Sequence, residues 1–166
     1  MAQITFGVDV QEFSTMLENM STATDGLAKR AIYEGAKVVV QEVKSQIEGI
    51  PEDTFRHLTN GDRFEYVTDR EKKGLLEGLG ITKMEGDPIK GWNAKIGFDG
   101  YAEGTMKSKR YPKGRPNAML ARALEIGTTV NAKYPFMRRA INRSREKAIQ
   151  AMERQINEDI MSIAGK

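Results

Sequence analysis

The chain contains one histidine and no cysteine, so any acid–base or metal chemistry would rest on carboxylates and on His57. His57 sits beside Arg56 in a polar stretch without spaced acidic partners, which is a poor ligand set and a poor general base. The acidic pairs Glu52-Asp53 and Glu158-Asp159 are adjacent in sequence, and neighbouring side chains point in different directions rather than at one substrate atom. Gly74, Gly78 and Gly80 lie in and after a short helical pattern and lack both the Lys-Ser/Thr of a phosphate loop and the dinucleotide spacing. No acid, base, nucleophile and metal set assembles from these residues. The expectation is a non-enzymatic chain with no cofactor, and without thiols it has no disulfide framework either.

Basic side chains are the other chemical resource. Lys107, Lys109, Arg110, Lys113 and Arg115 surround Tyr111 in a stretch, 101–116, that also holds Gly104, Gly114, Pro112 and Pro116. This composition reads as a mobile or inserted loop, suited to tracking a phosphate backbone without reading sequence or to docking on another protein. A second group, Arg138, Arg139, Arg143 and Arg145, opens the last helix. Positive charge there opposes the helix macrodipole by a few tenths to about 1 kcal/mol per residue, so acidic partners are expected nearby or in a neighbouring chain. Outside residues 107–154 the chain is net acidic, although the whole carries a charge of only +3.

The elements that must position these groups follow from periodicity. At 166 residues the expectation is a single domain, 1–166, able to bury a core without staples. No apolar run approaches the roughly 20 residues of a membrane span and no leader pattern opens the chain, which reads as soluble and unsecreted. Ile4, Phe6, Val8 and Val10 alternate as in a strand. Phe13, Met16, Leu17 and Met20 recur at helical spacing, and the polar run Ser21 to Asp25 predicts a break or a re-capping point. Leu27, Ala31, Gly35, Val38, Val39, Val43 and Ile47 then form the stripe of a long amphipathic helix that Gly49 and Pro51 end. Gly35 and Ala36 on it permit close approach of another element. Residues 50–67 predict an extended loop with a turn at Asn60-Gly61.

Thr68 and Glu71 make a capping box for a short helix closed by Gly80. Ile81 to Met84 and Trp92 to Phe98 predict a hairpin with its turn at Glu85-Gly86-Asp87-Pro88. Asn117 is expected to cap a helix through Leu120 and Leu124, ended by Gly127, which suits a positive φ after a helix. Pro135 fits the first turn of a final helix, with Met137, Ile141, Ala148, Met152, Ile156, Ile160 and Ile163 as its apolar stripe. The predicted class is α+β: a small antiparallel sheet packed against a long N-terminal helix and a long C-terminal helix. Glu125, Gly127, Thr128, Pro135 and Phe136 form a structural corner between the last two helices, with Phe136 as its anchor in the core.

The run Glu125-Ile126-Gly127-Thr128, followed after a short gap by Pro135-Phe136-Met137-Arg138 and Ala140 and preceded by a long helix and Pro51-Glu52-Asp53-Thr54, resembles the tail-component family of tailed bacteriophages. Ile126 stands where an aromatic is usual there, and Arg139 replaces a second proline. The resemblance implies a non-enzymatic virion protein that assembles as a homo-oligomeric ring at the portal–tail junction or tail top: a neck, tail-completion or tail-terminator protein made in the host bacterial cytoplasm. Implied partners are the neighbouring connector and tail-tube proteins, with non-specific contact to DNA passing through and none to membrane. Lys107, Lys109, Arg110, Lys113, Arg115, Arg138 and Arg139 are the candidate partner or DNA contacts. A basic nucleic-acid-binding accessory protein is the alternative.

Overall fold

The computed structural model describes residues 10–52, 67–87, 89, 91–102, 109–129 and 131–164, with the side chains of the first helix from Thr24 onward. Eight elements follow in order: α1 (Val10–Glu48), α2 (Asp69–Gly78), β1 (Leu79–Ile81), β2 (Glu85–Asp87), β3 (Gly91–Asn93), β4 (Ile96–Phe98), α3 (Asn117–Ile126) and α4 (Phe136–Ala164). The architecture is α+β, with the two long helices packed on each other and on two small antiparallel sheets.

α1 runs without interruption through residues 21–25, so the predicted break there is corrected. Ser and Thr lose only a few tenths of a kcal/mol against better helix formers, and no proline intervenes. The predicted first strand lies outside the described residues apart from Val10, which begins α1. Most of the predicted 50–67 loop also lies outside them, but its ends are joined: Glu52 and Val67 form a parallel bridge, and the Val67 N–H donates to the Pro51 carbonyl at 3.0 Å. Val67 and Ile50 are both buried there.

α4 lies antiparallel to α1. Its buried line is Phe136, Ala140, Ser144 and Ala148, which shares Ala148 with the stripe that the sequence suggested, while Met137, Met152, Ile160 and Ile163 of that stripe are half-buried. Ile141 and Ile156 are instead 48% and 36% exposed. Small residues win the contact because they allow two helix axes to approach, and the Ser144 hydroxyl is satisfied within the helix by donating to the Ala140 carbonyl at 2.7 Å. Gly35 does the same on α1: a β-carbon there would lie 2.7 Å from Met152 Cγ.

Thr68 caps α2 with both halves of the capping box formed. The helix stops at Gly78, two residues before the expected Gly80, because Leu79 already takes an extended conformation and opens β1. β1 pairs with β4 and β2 with β3, both antiparallel. Glu85 to Asp87 is therefore a strand rather than the expected turn. The reversal moves onto the next residues, where the Asp87 carboxylate accepts the Ile89 N–H at 2.9 Å, an Asx-type turn. Between the two ladders Thr82 and Lys95 hold the hairpin, the Thr82 N–H donating to the Lys95 carbonyl at 2.8 Å and the Lys95 N–H to Thr82 Oγ1 at 2.9 Å.

The core joins Val43, Ile47 and Ile50 of the α1 end to Val67, Leu75, Leu120, Leu124, Phe136 and Ala140. Phe98 of β4 meets Phe136 edge to face, with ring centroids 5.9 Å apart. Asn117 is not the cap of α3. Pro116 occupies that position without a side-chain hydrogen bond, and buried Asn117 instead donates through Nδ2 to the carbonyls of Gly74 and Asp99, each at 2.8 Å. The amide thus ties α2, the end of β4 and α3 together, a tertiary use that outweighs a local cap.

Candidate functional site

The corner between α3 and α4 is built from both helix ends. α3 terminates at Gly127, whose φ of 77° suits glycine and whose N–H donates to the Ala123 carbonyl at 3.0 Å. A β-carbon there would sit 3.1 Å from Lys133 Cβ, so the turn closes tightly on itself. The Thr128 N–H donates to the Asn131 carbonyl at 2.9 Å, and the Asn131 N–H donates to Thr128 Oγ1 at 2.9 Å. The Tyr134 N–H then returns to the Leu124 carbonyl at 2.7 Å, while its hydroxyl donates to the Gly49 carbonyl at 3.0 Å. Through Tyr134 the turn is fastened to the end of α1.

Glu125 completes the corner. Its carboxylate accepts the N–H groups of Met137 at 2.9 Å and Arg138 at 3.1 Å. These are first-turn donors of α4, which otherwise lack partners inside the helix, and the negative charge complements the macrodipole. Glu125 thus sets a negative charge at the arginine-rich start of α4, where it binds the backbone rather than a guanidinium. Arg139 lies over the Tyr134 ring at 4.9 Å, and Arg143 reaches Glu42 at 4.0 Å. Arg138 and Arg139 are both exposed.

Behind the corner lies a polar junction that local sequence patterns did not reveal. Arg115 donates to Asn131 Oδ1 at 3.4 Å and lies 3.9 Å from the Glu71 carboxylate. Glu71 is itself 3% exposed and forms the α2 capping box. One arginine from the basic stretch therefore links the α2 start to the α3–α4 turn. This sets Arg115 apart from Lys109, Arg110 and Lys113, which are exposed. Arg110 stacks over Tyr111 at 5.7 Å and Lys113 over Tyr101 at 5.9 Å. The stretch is closed at its base by an antiparallel bridge between Tyr101 and Pro116, and Lys107 lies outside the described residues.

The remaining sequence candidates do not converge. His57 lies outside the described residues. Glu52 pairs with Lys72 at 3.6 Å, and Asp159 accepts from Arg30 and Gln155 whereas Glu158 faces solvent. Gly74 packs against Asn117 and Ala102 as a helix contact. Among the described residues no group of three His, Cys, Asp or Glu side chains is placed to hold a metal ion, and no helix is long and apolar enough to cross a membrane. Compared with models of protein families, with curated proteins and with solved structures, the chain matches none of them.

Proposed function

We propose that this chain is a non-enzymatic structural subunit of a phage or prophage-derived tail, several copies of which form a ring at the head–tail junction or tail top. The observation that carries the reading is the Glu125 clamp on α4. The residues that bear the family resemblance, Glu125 to Thr128 and Pro135 to Phe136, meet as a hydrogen-bonded corner around a buried anchor, a structural use rather than a chemical one. A corner that fixes the angle between two helices suits a ring subunit, because closure depends on each copy presenting its surfaces at a set angle. Connector and tail-tube proteins are the partners in this reading. The exposed Lys109, Arg110 and Lys113 supply positive charge toward them or toward passing DNA.

Negative-stain imaging of the purified protein mixed with tail tubes tests it. Rings, or caps at one end of the tubes, are expected, and a protein that neither rings nor caps would sink the reading. The same exposed bases favour a second reading as a nucleic-acid-binding accessory protein. Binding by the monomer that falls steeply as salt rises would support that one instead.

A further inference from the structure

α4 presents a second apolar side, distinct from the line that faces α1. About a third of a turn from that buried line, Ile141, Ile149 and Ile156 are 48%, 47% and 36% exposed. Linked by exposed Arg145 and half-buried Met152, they succeed one another at three- and four-residue steps and so share one side of the helix. Single exposed isoleucines are ordinary, but three in one row make a patch whose burial is favourable. Arg145 and Glu153 stand four residues to either side of Ile149, both exposed. Among the described residues neither has an ion-pair partner.

Charge along α4 is polarised. Residues 136–149 hold Arg138, Arg139, Arg143, Arg145 and Lys147 against a single acid, Glu146, whereas 150–164 hold Glu153, Glu158 and Asp159 against a single base, Arg154. The row is also matched about its middle. Measured along the axis from Ile149, Ile141 lies about 12 Å to one side and Ile156 about 10 Å to the other. Arg145 and Glu153 lie about 6 Å to either side. Turned end for end on a second copy, the row therefore sets isoleucine against isoleucine and base against acid.

We propose that two copies of this chain pair through α4, antiparallel about a two-fold axis at Ile149. Ile149 meets its own counterpart, Ile141 meets Ile156, and Arg145 stands level with Glu153 of the other copy on both sides of the axis. Parallel pairing would lay the basic halves together and the acidic halves together, which like-charge repulsion opposes. The antiparallel arrangement lays each basic half on an acidic one, and a second copy of α4 carries the required polarity by construction. A two-fold contact uses the same patch on both copies and closes at two. The pairing goes beyond the ring reading and does not rest on it, because it concerns the free protein.

Sedimentation equilibrium of the full chain is expected to show monomers and dimers in exchange, with dissociation at about 1 to 100 µM for a contact this small. Ile149→Glu should weaken the dimer by about tenfold or more while leaving the helical circular dichroism unchanged. Arg145→Glu and Glu153→Arg, both at exposed sites, should each weaken it by about tenfold, since each sets like charges together twice. Mixed one to one, these two variants are expected to form a heterodimer about as tight as the wild type, because both pairs are then opposite in sign. The chain contains no cysteine, so a short bis-maleimide reports only introduced sites. Ile141→Cys and Ile156→Cys proteins, mixed, should link position 141 of one copy to 156 of the other. A wild-type chain monomeric to about 1 mM, a dimer indifferent to Ile149→Glu, no rescue on mixing, or links joining 141 to 141 each overturns the pairing. Dimers that leave tail tubes bare keep the pairing and sink the ring, whereas rings from a chain that is monomeric when free do the reverse.

Discussion

The Glu125 carboxylate accepts the Met137 N–H at 2.9 Å, so the side chain that ends one helix caps the next. Because Arg138 donates to the same carboxylate at 3.1 Å, two orphan donors of α4 depend on one residue. Glu125→Ala is expected to lower the unfolding free energy by about 1 to 2 kcal/mol, the range of a lost helix cap. Glu125→Gln should cost less, since it keeps a neutral acceptor. Urea denaturation of the three proteins checks the order.

Phe136 is fully buried and meets Phe98 edge to face. Phe136→Ala should cost roughly 3 to 5 kcal/mol as a large-to-small core change. A loss under about 1 kcal/mol in equilibrium unfolding would show that the corner is not anchored there. A double-mutant cycle with Phe98→Leu is expected to report about 0.5 to 1.5 kcal/mol of coupling for the ring pair.

Asn117 donates to two carbonyls from a site 3% exposed. Asn117→Ala leaves both carbonyls without that donor and should cost about 1 to 3 kcal/mol. Asn117→Asp is the sharper test: it has the same shape but brings a carboxylate oxygen against carbonyl oxygens, so it should destabilise more than alanine. Thermal unfolding in which aspartate is tolerated better than alanine would contradict this use of the amide.

The α1–α4 seam separates contacts that matter from contacts that do not. Gly35→Leu places a side chain where Met152 Cγ would lie 2.7 Å from the first added carbon, and overpacking of this kind costs about 1 to 3 kcal/mol. Met152→Ala in the same chain should recover part of the loss by opening space. The Arg30 to Asp159 pair, whose arginine side chain is 54% exposed, contributes under about 1 kcal/mol. Arg30→Ala is therefore expected to leave the urea midpoint almost unmoved.

The sequence by itself determined what local physics decides. The long stripe from Leu27 to Ile47, the Thr68–Glu71 capping box, the positive φ at Gly127 and the α+β class depend on spacing and on residue type within a few positions. It also marked Glu125 to Phe136 as a corner, but without the bond that closes it, because Glu125 and Met137 are brought together only when the intervening turn folds. Tertiary structure decided the rest. It added Ala140 and Ser144 to the buried line of α4 beside the expected Ala148 and left Ile141 and Ile156 exposed, because two helices in contact select small residues over large ones. It moved Asn117 from cap to tie, and it separated Arg115, held by Glu71 and Asn131, from the solvated bases beside it. Each of these choices compares partners distant along the chain, and periodicity within one helix holds no information about the surface it will meet.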